Sequence, residues 1–200
     1  MKRIPKGSYG YTDAHKKQQL LKTFLFFLLP ISIFLVGYLT TKTKENYFTI
    51  VAVVGCLPAC KELVNVFLFW KRRSIPERLY EEIASHAKGV ETAYELVFTT
   101  YEQSYPVTAL VIVGNEVAGY AEETRELDWK KAEEHLRAVL KHNGFFRVHV
   151  HIFRDYRQFL ERLDALSAQE QENLPFTPDE RYPGFSREQV IREVILALSI

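Results

Sequence analysis

The 200-residue sequence has only two cysteines, Cys56 and Cys60, and both fall inside a long apolar run. The rest of the chain therefore has no disulfide framework and no cysteine nucleophile, which agrees with a reducing, cytosolic location. A Gly-rich phosphate loop, a Gly-x-Ser-x-Gly elbow and a His-Glu-x-x-His motif are also absent. These absences remove the common nucleotide-binding, serine-hydrolase and zinc-protease classes. The sequence accordingly predicts no cofactor and no catalytic residue.

Positive charge is scarce in the larger part of the chain. Residues 74–200 contain 14 Lys and Arg against 22 acidic residues, whereas residues 1–73 contain 12 against three. A domain with such an acidic excess repels a phosphate backbone, so we expect no nucleic-acid partner. The basic residues instead flank two apolar segments.

Two long apolar runs, Thr23–Thr41 and Tyr47–Trp70, dominate the first third of the chain. At about 1.5 Å per helical residue they are roughly 28 and 36 Å long, enough to cross a hydrocarbon core of about 30 Å. The first run is not followed by a small-residue cleavage site, and the second follows it closely, so both are expected to be retained. The sequence predicts an integral membrane protein with a helical hairpin over residues 20–73, its spans at about 22–41 and 47–70.

The basic residues around the hairpin predict its orientation. Lys42 and Lys44 alone lie in the turn between the spans, whereas nine basic residues lie at the other ends. By the positive-inside rule both termini are cytoplasmic, and we expect the plasma membrane of a bacterium. Residues 1–19 lack apolar periodicity and are predicted to be a mobile basic arm near the inner leaflet. The predicted membrane-flanking residues are Lys16, Lys17, Lys22, Lys71, Arg72 and Arg73.

Two ionisable residues, Lys61 and Glu62, lie inside the second run, where charge is costly. The long Lys61 side chain can extend along its stem to the interface. Glu62 is short and needs a partner: the Ser32 hydroxyl, another subunit, or a proton. We expect the hairpin to associate with a second copy or a partner helix through Glu62, with an ion or proton role as the alternative.

Residues 74–200 carry the patterns of one mixed α/β domain with a small mixed sheet. Ser74 to Glu77 and Ser186 to Gln189 have the capping-box pattern, and Asp128 is placed to cap a third helix. Gly114-Asn115 suits a two-residue type II′ turn. The predicted order is α-β-β-β-α-β-α-α, with a first helix near 75–88 and strands near 94–100, 107–113, 116–122 and 146–152.

His149 and His151 are the candidate metal ligands. They are two residues apart on a predicted strand, so both side chains point to one face and could hold a metal with a third ligand. That ligand would be His135, His142 or Asp155. The alternative is that the two histidines are the polar face of an amphipathic strand.

The order α-β-β-β-α-β over residues 75–152 resembles that of the restriction-endonuclease-like fold. The resemblance implies a metal held by an acid on the second strand and an acid-x-Lys pair on the third. The second strand here, Val107–Val113, has no acid, and neither Glu116 nor Glu122 is followed by such a lysine. The resemblance therefore concerns the order of elements, and an active nuclease is not expected.

Two functions remain. The first is a non-enzymatic, membrane-anchored module whose acidic cytosolic domain, exposed aromatic-rich strands and polar 167–185 loop bind or regulate a protein partner or membrane complex. The second is a membrane-tethered, metal-dependent hydrolase that uses His149 and His151 with nearby carboxylates.

Overall fold

The computed structural model describes residues 4–70, 72, 74–100, 103–122, 127–168 and 182–199. The chain divides into two compact units, one of Met1–Ile4 with Gly10–Ser74 and one of Pro5–Tyr9 with Ile75–Ile200. The first unit is a pair of helices, and the second is an α+β domain with a four-stranded mixed sheet. In chain order the elements are α1 (Tyr11–Thr41), α2 (Tyr47–Trp70), α3 (Glu77–His86), β1 (Glu91–Thr99), β2 (Ser104–Val113), β3 (Glu116–Tyr120), α4 (Trp129–His142), β4 (His149–Phe153), α5 (Tyr156–Ser167) and α6 (Arg187–Leu198).

The helix pair begins earlier than the hydrophobicity of the sequence predicts. Helix α1 starts at Tyr11, so residues 11–19 are helical and the prediction of an arm without structure was wrong for them. Helix α2 has the bounds that the sequence predicts. Both helices are long and apolar enough to cross a membrane, judged by length and composition alone.

The two helices pack along small and polar side chains. The buried residues of α1 recur at intervals of seven and four, which places them on one stripe: Thr12, Gln19, Thr23, Pro30 and Gly37. On α2 the buried side chains are Ala52 and Ala59. A Cβ added to Gly37 would lie 2.4 Å from Cβ of Phe48, so the backbones approach too closely there for any side chain. Close packing of this kind is typical of helices that associate in lipid.

The sheet of the domain has the strand order β1-β2-β3-β4. Strands β1, β2 and β3 are antiparallel neighbours, and β4 lies parallel to β3 after the crossover through α4. The turn between β2 and β3 is the two-residue turn that the sequence predicts: Gly114 has a φ of 54°, and Val113 pairs with Glu116. Positive φ at the first central residue alone fits type II′.

Helices cover both faces of the sheet and give the domain two apolar cores. Helices α4 and α6 enclose one core, centred on Leu136, Leu140 and Ile191. Helices α3 and α5 enclose the other, centred on Ile83, Phe159 and Leu163. The aromatic residues of the strands, including Phe98, Tyr105 and Tyr120, are buried in these cores. The expectation that the strands expose their aromatic side chains was therefore wrong.

The residues of β1 before and after Glu95 pack in different cores, and the strand is kinked at Glu95. Tyr94 packs in the core of α3 and α5, whereas Leu96 and Phe98 pack in the core of α4 and α6. Simple alternation would place all three on one face. Glu95 has a φ of 57°, in the left-handed region, and this turn of the backbone shifts the alternation by one residue.

Residues 5–9 belong to the domain although α1 and α2 separate them from it in sequence. The Tyr94 amide donates to the Gly7 carbonyl at 2.8 Å, and the Tyr9 ring stacks on Tyr80 with centroids 4.3 Å apart. Lys6 donates to the Ser199 carbonyl. Gly7 has a φ of 78°, and a Cβ there would lie 2.6 Å from the Leu196 side chain. This short segment covers the free edge of β1.

The predicted helix caps have mixed outcomes. The capping box at Ser186 and Gln189 is present in full. Helix α3 instead begins after Pro76 without a side-chain cap, and Asp128 precedes α4 without making a cap hydrogen bond. Most of the predicted 167–185 loop lies outside the described residues.

Candidate functional site

Glu62 has a partner within its own chain. The Gln19 side-chain amide on α1 donates to the Glu62 carboxylate on α2, with 3.1 Å between Nε2 and Oε2. Gln19 itself is buried between α1 and α2, in the contact that we call the helix seam, formed by the stripe of α1 with Ala52 and Ala59 of α2. Ser32, the predicted partner, donates instead to the Leu28 carbonyl one turn before it. The expected pairing with Ser32 was wrong, whereas a proton on Glu62, its ion or proton role and self-association of the hairpin through it stay predictions.

Sequence reasoning missed Gln19 because it lies outside the apolar run that defined the first span. Its position is nevertheless encoded in the stripe of buried residues: Thr23, one turn further on, is also buried, and its hydroxyl donates to the Gln19 carbonyl at 2.9 Å. In an antiparallel pair, a residue near the start of the first helix faces one near the end of the second. A search for polar residues on that stripe would have found the pair.

The described basic residues near this pair differ in their surroundings. Lys16 donates to the Arg72 carbonyl and lies 3.7 Å from Asp13. Lys17, Lys22 and Lys61 are exposed. No described acidic side chain forms an ion pair with any of these three. Lys71 and Arg73, also predicted to flank the membrane, lie outside the described residues.

The two histidines do not assemble a metal site among the described residues. His149 and His151 both lie exposed on β4, the edge strand. His151 Nδ1 is 3.0 Å from Glu133, but Asp155 caps α5 by accepting from the Arg157 and Gln158 amides. Within the described part of the chain, no three His, Cys, Asp or Glu side chains are grouped so as to hold a metal.

Glu133 on α4 instead bonds to the open edge of β4. We name Glu133 and Arg137, which bond to this edge together, the polar staple. Its buried carboxylate accepts from the Ile152 amide at 2.8 Å and from Arg137 at 3.0 Å. Arg137 also donates to the Val150 carbonyl at 3.1 Å. These groups would otherwise be free to pair with a strand of another chain, and the staple satisfies them. The sequence did not single out Glu133, since an acid at that position fits a solvated helix face equally well.

Two tyrosines lie at the carboxyl ends of the parallel strands β3 and β4. The rings of Tyr120 and Tyr156 are 5.1 Å apart. Burial raises the pKa of Tyr156, and the neighbouring Glu82 raises it further. Burial also raises the pKa of Tyr120, with added effects from Glu122 and Asp155. Both phenols therefore stay neutral at physiological pH.

Among the described residues of the domain, two large aromatic side chains are exposed, and both lie in loops. Phe146 follows α4 and is 73% exposed, and Phe185 precedes α6 and is 43% exposed. The loops are neighbours, because the Arg187 guanidinium lies 5.6 Å from the centroid of the Phe145 ring. Arg187 also donates to Asn115 at 2.6 Å, which fixes the start of α6 against the β2-β3 turn. We name Phe146 and Phe185 the aromatic loop pair.

We predict that the Gln19 and Glu62 side chains stabilise the helix pair together. Gln19→Ala and Glu62→Ala should show a coupling free energy of about 0.5–2 kcal/mol, the range for interhelical hydrogen bonds in lipid. A double-mutant cycle on the full chain, unfolded in mixed detergent micelles, measures it. Ser32→Ala with Glu62→Ala is the control cycle and should show no coupling; additive effects of Gln19→Ala and Glu62→Ala would contradict the pairing.

We predict that Glu133→Ala destabilises the domain by about 2–3 kcal/mol, because it leaves the Ile152 amide and the Arg137 guanidinium without their buried acceptor. Urea unfolding of the full chain, followed by the fluorescence of the buried Trp129 in a Trp70→Phe background, measures the loss. Glu134→Ala, one residue along and exposed, is the control and should stay within about 0.5 kcal/mol. Equal effects of the two changes would show that the staple contributes nothing.

The domain keeps the order α-β-β-β-α-β that resembles restriction-endonuclease-like proteins, but not the acids that the resemblance implies. Glu116 pairs with Arg162, and the Glu122 amide donates to Thr108 at 3.4 Å. Strand β2 carries no acid. Comparison of the chain with protein-family models, with curated proteins and with solved structures finds no match.

Proposed function

We propose that this chain is a two-span integral membrane protein whose α+β domain is a non-enzymatic interaction module. The observation that carries the membrane part is the distribution of exposed apolar side chains. Among the described residues, all large apolar side chains that are exposed lie between Leu20 and Trp70, except the aromatic loop pair. The helix seam, in contrast, holds small and polar groups. A helix pair with small and polar groups inside and large apolar side chains outside is stable only where its surroundings are apolar.

The contacts of residues 5–9 support an even number of membrane crossings. This segment precedes α1, yet it packs in the same unit as residues 75–200, which follow α2. A segment that packs in the domain must lie on the same side of the membrane as the domain. The excess of basic residues beside those ends favours the cytoplasmic side, as in a bacterial plasma membrane.

The aromatic loop pair supports the interaction role of the domain. Exposed aromatic residues are among the side chains that most often anchor protein interfaces. Phe146 and Phe185 are held on neighbouring loops by the contacts of Arg187 with Phe145 and Asn115. The surface is thus presented on a rigid support and is suited to a protein partner. The hydrolase alternative has no grouped ligands among the described residues to favour it.

We predict that the turn between the helices is outside the cell and the domain inside. In a background with Cys56→Ala and Cys60→Ala, a membrane-impermeant maleimide should label Lys44→Cys in intact cells. Glu161→Cys, on the exposed side of α5, should react only after permeabilisation. Resistance of the full chain to extraction by alkaline carbonate checks insertion separately. Labelling of both positions in intact cells, or release by carbonate, would contradict the proposal.

We predict that the aromatic loop pair contacts the partner. A photoreactive phenylalanine analogue at Phe146, in the full chain in native membranes, should crosslink to a defined protein, and Phe185→Ser should reduce the product at least fivefold. The same analogue at Glu161 is the matched control and should give no such product. Equal crosslinking from both positions, or no effect of Phe185→Ser, would remove the assignment of this surface.

A further inference from the structure

Among the described residues at the end of the helix pair near Gln19 and Glu62, three lysines form no ion pair. The Cα levels of Lys17, Lys22 and Lys61 lie within about 5 Å of the Gln19–Glu62 hydrogen bond along the helix axes, at about 1.5 Å per residue. All three are exposed, and no described acidic side chain pairs with them. We name these residues the lysine collar. A group of exposed cations favours anions in its surroundings.

The apolar surfaces of the two helices end at different levels beside this collar. On α1 the exposed large apolar side chains run from Leu20 to Leu39, about 29 Å; on α2 they run from Tyr47 to Trp70, about 35 Å. Helix α2 therefore continues as an apolar surface past Glu62, where the facing part of α1 is polar. The last exposed side chains on it are aromatic: Phe67 is 71% and Trp70 67% exposed.

Cations and aromatic rings near one end of a span are the chemistry of the membrane interface, and here Phe67 and Trp70 lie about 8 and 12 Å past Glu62 along α2. Tryptophan and other aromatic residues favour the interface, and each lysine near an anionic surface favours charged lipid by roughly fivefold. The turn at the other end of the hairpin has Lys42 and Lys44 but also Glu45, so its cationic excess is smaller. The attraction for anionic lipid is therefore stronger at the end with the collar than at the turn.

We propose that the lysine collar, together with Phe67 and Trp70, binds the headgroups of anionic phospholipids and concentrates these lipids around the hairpin. This inference rests on the proposed membrane placement and adds the class of lipid. The phosphodiester accepts hydrogen bonds from the lysine ammonium groups, while the rings lie further along α2, on the side of the collar away from the turn. The occupant is bilayer lipid and not free phosphate, because the flanking surface is apolar and continuous with the span.

Trp70 reports this directly, since Trp70 and Trp129 are the two tryptophans of the chain. The full chain with Trp129→Phe is reconstituted in bilayers of phosphatidylcholine with 15% phosphatidylglycerol, and bromine is placed on the acyl chains of one lipid at a time at equal mole fraction. We expect brominated phosphatidylglycerol to quench Trp70 as if enriched about three- to tenfold. High salt should lower this enrichment.

Variants separate the collar from general charge effects. Lys17→Gln with Lys22→Gln and Lys61→Gln should make the two brominated lipids quench equally, whereas replacement of the same lysines by arginine should keep the preference. Lys42→Gln with Lys44→Gln is the control at the other end and should also keep it. Equal quenching in the parent chain would overturn the lipid preference but leave the span intact. No quenching by either lipid would overturn the membrane placement itself.

Discussion

The close approach of α1 and α2 is the constraint on which the rest of this protein depends. Because the seam is filled by glycine, alanine and short polar side chains, nearly all of the leucine, phenylalanine and valine side chains of both helices point outward. The hydrophobic effect cannot hold such a pair together in water. Van der Waals contact and one interhelical hydrogen bond can do so in lipid, where apolar side chains gain nothing by leaving their surroundings.

In the domain, by contrast, the large apolar side chains point inward, and polar groups bond to the edges of its own sheet. Residues 5–9 and the C-terminal helix cover the edge of β1, and Glu133 with Arg137 covers the edge of β4. A four-stranded sheet exposes two edges, each a template for pairing with another chain. Here both edges are occupied from within. The exposed large aromatic side chains in the described part of the domain, Phe146 and Phe185, lie on loops and not on a strand edge.

The sequence predicts the elements of this fold well and their contacts less well. Periodicity located the helices and strands, and Gly114 with Ser186 gave the correct turn and cap, because these signals are local. The kink at Glu95 and the pairing of Gln19 with Glu62 depend on residues far apart in sequence or on a backbone conformation unusual for glutamate. The same holds for the candidate metal ligands. His149 and His151 share a strand as expected, but a third ligand depends on which distant residues lie near them, and spacing in the sequence does not give that. Glu133 was missed for the same reason.

The position of residues 5–9 also has a consequence for the order of events during synthesis. Lys6 contacts Ser199, a separation of 193 residues, so the segment leaves the ribosome long before the helix that it will meet. It remains without its partner while both apolar helices are made, and the edge of β1 is completed only afterwards. Contacts of such long range close late and slow the final step of folding. The helix pair lies between the two parts of the domain in sequence, so the domain can close only after both helices have been made.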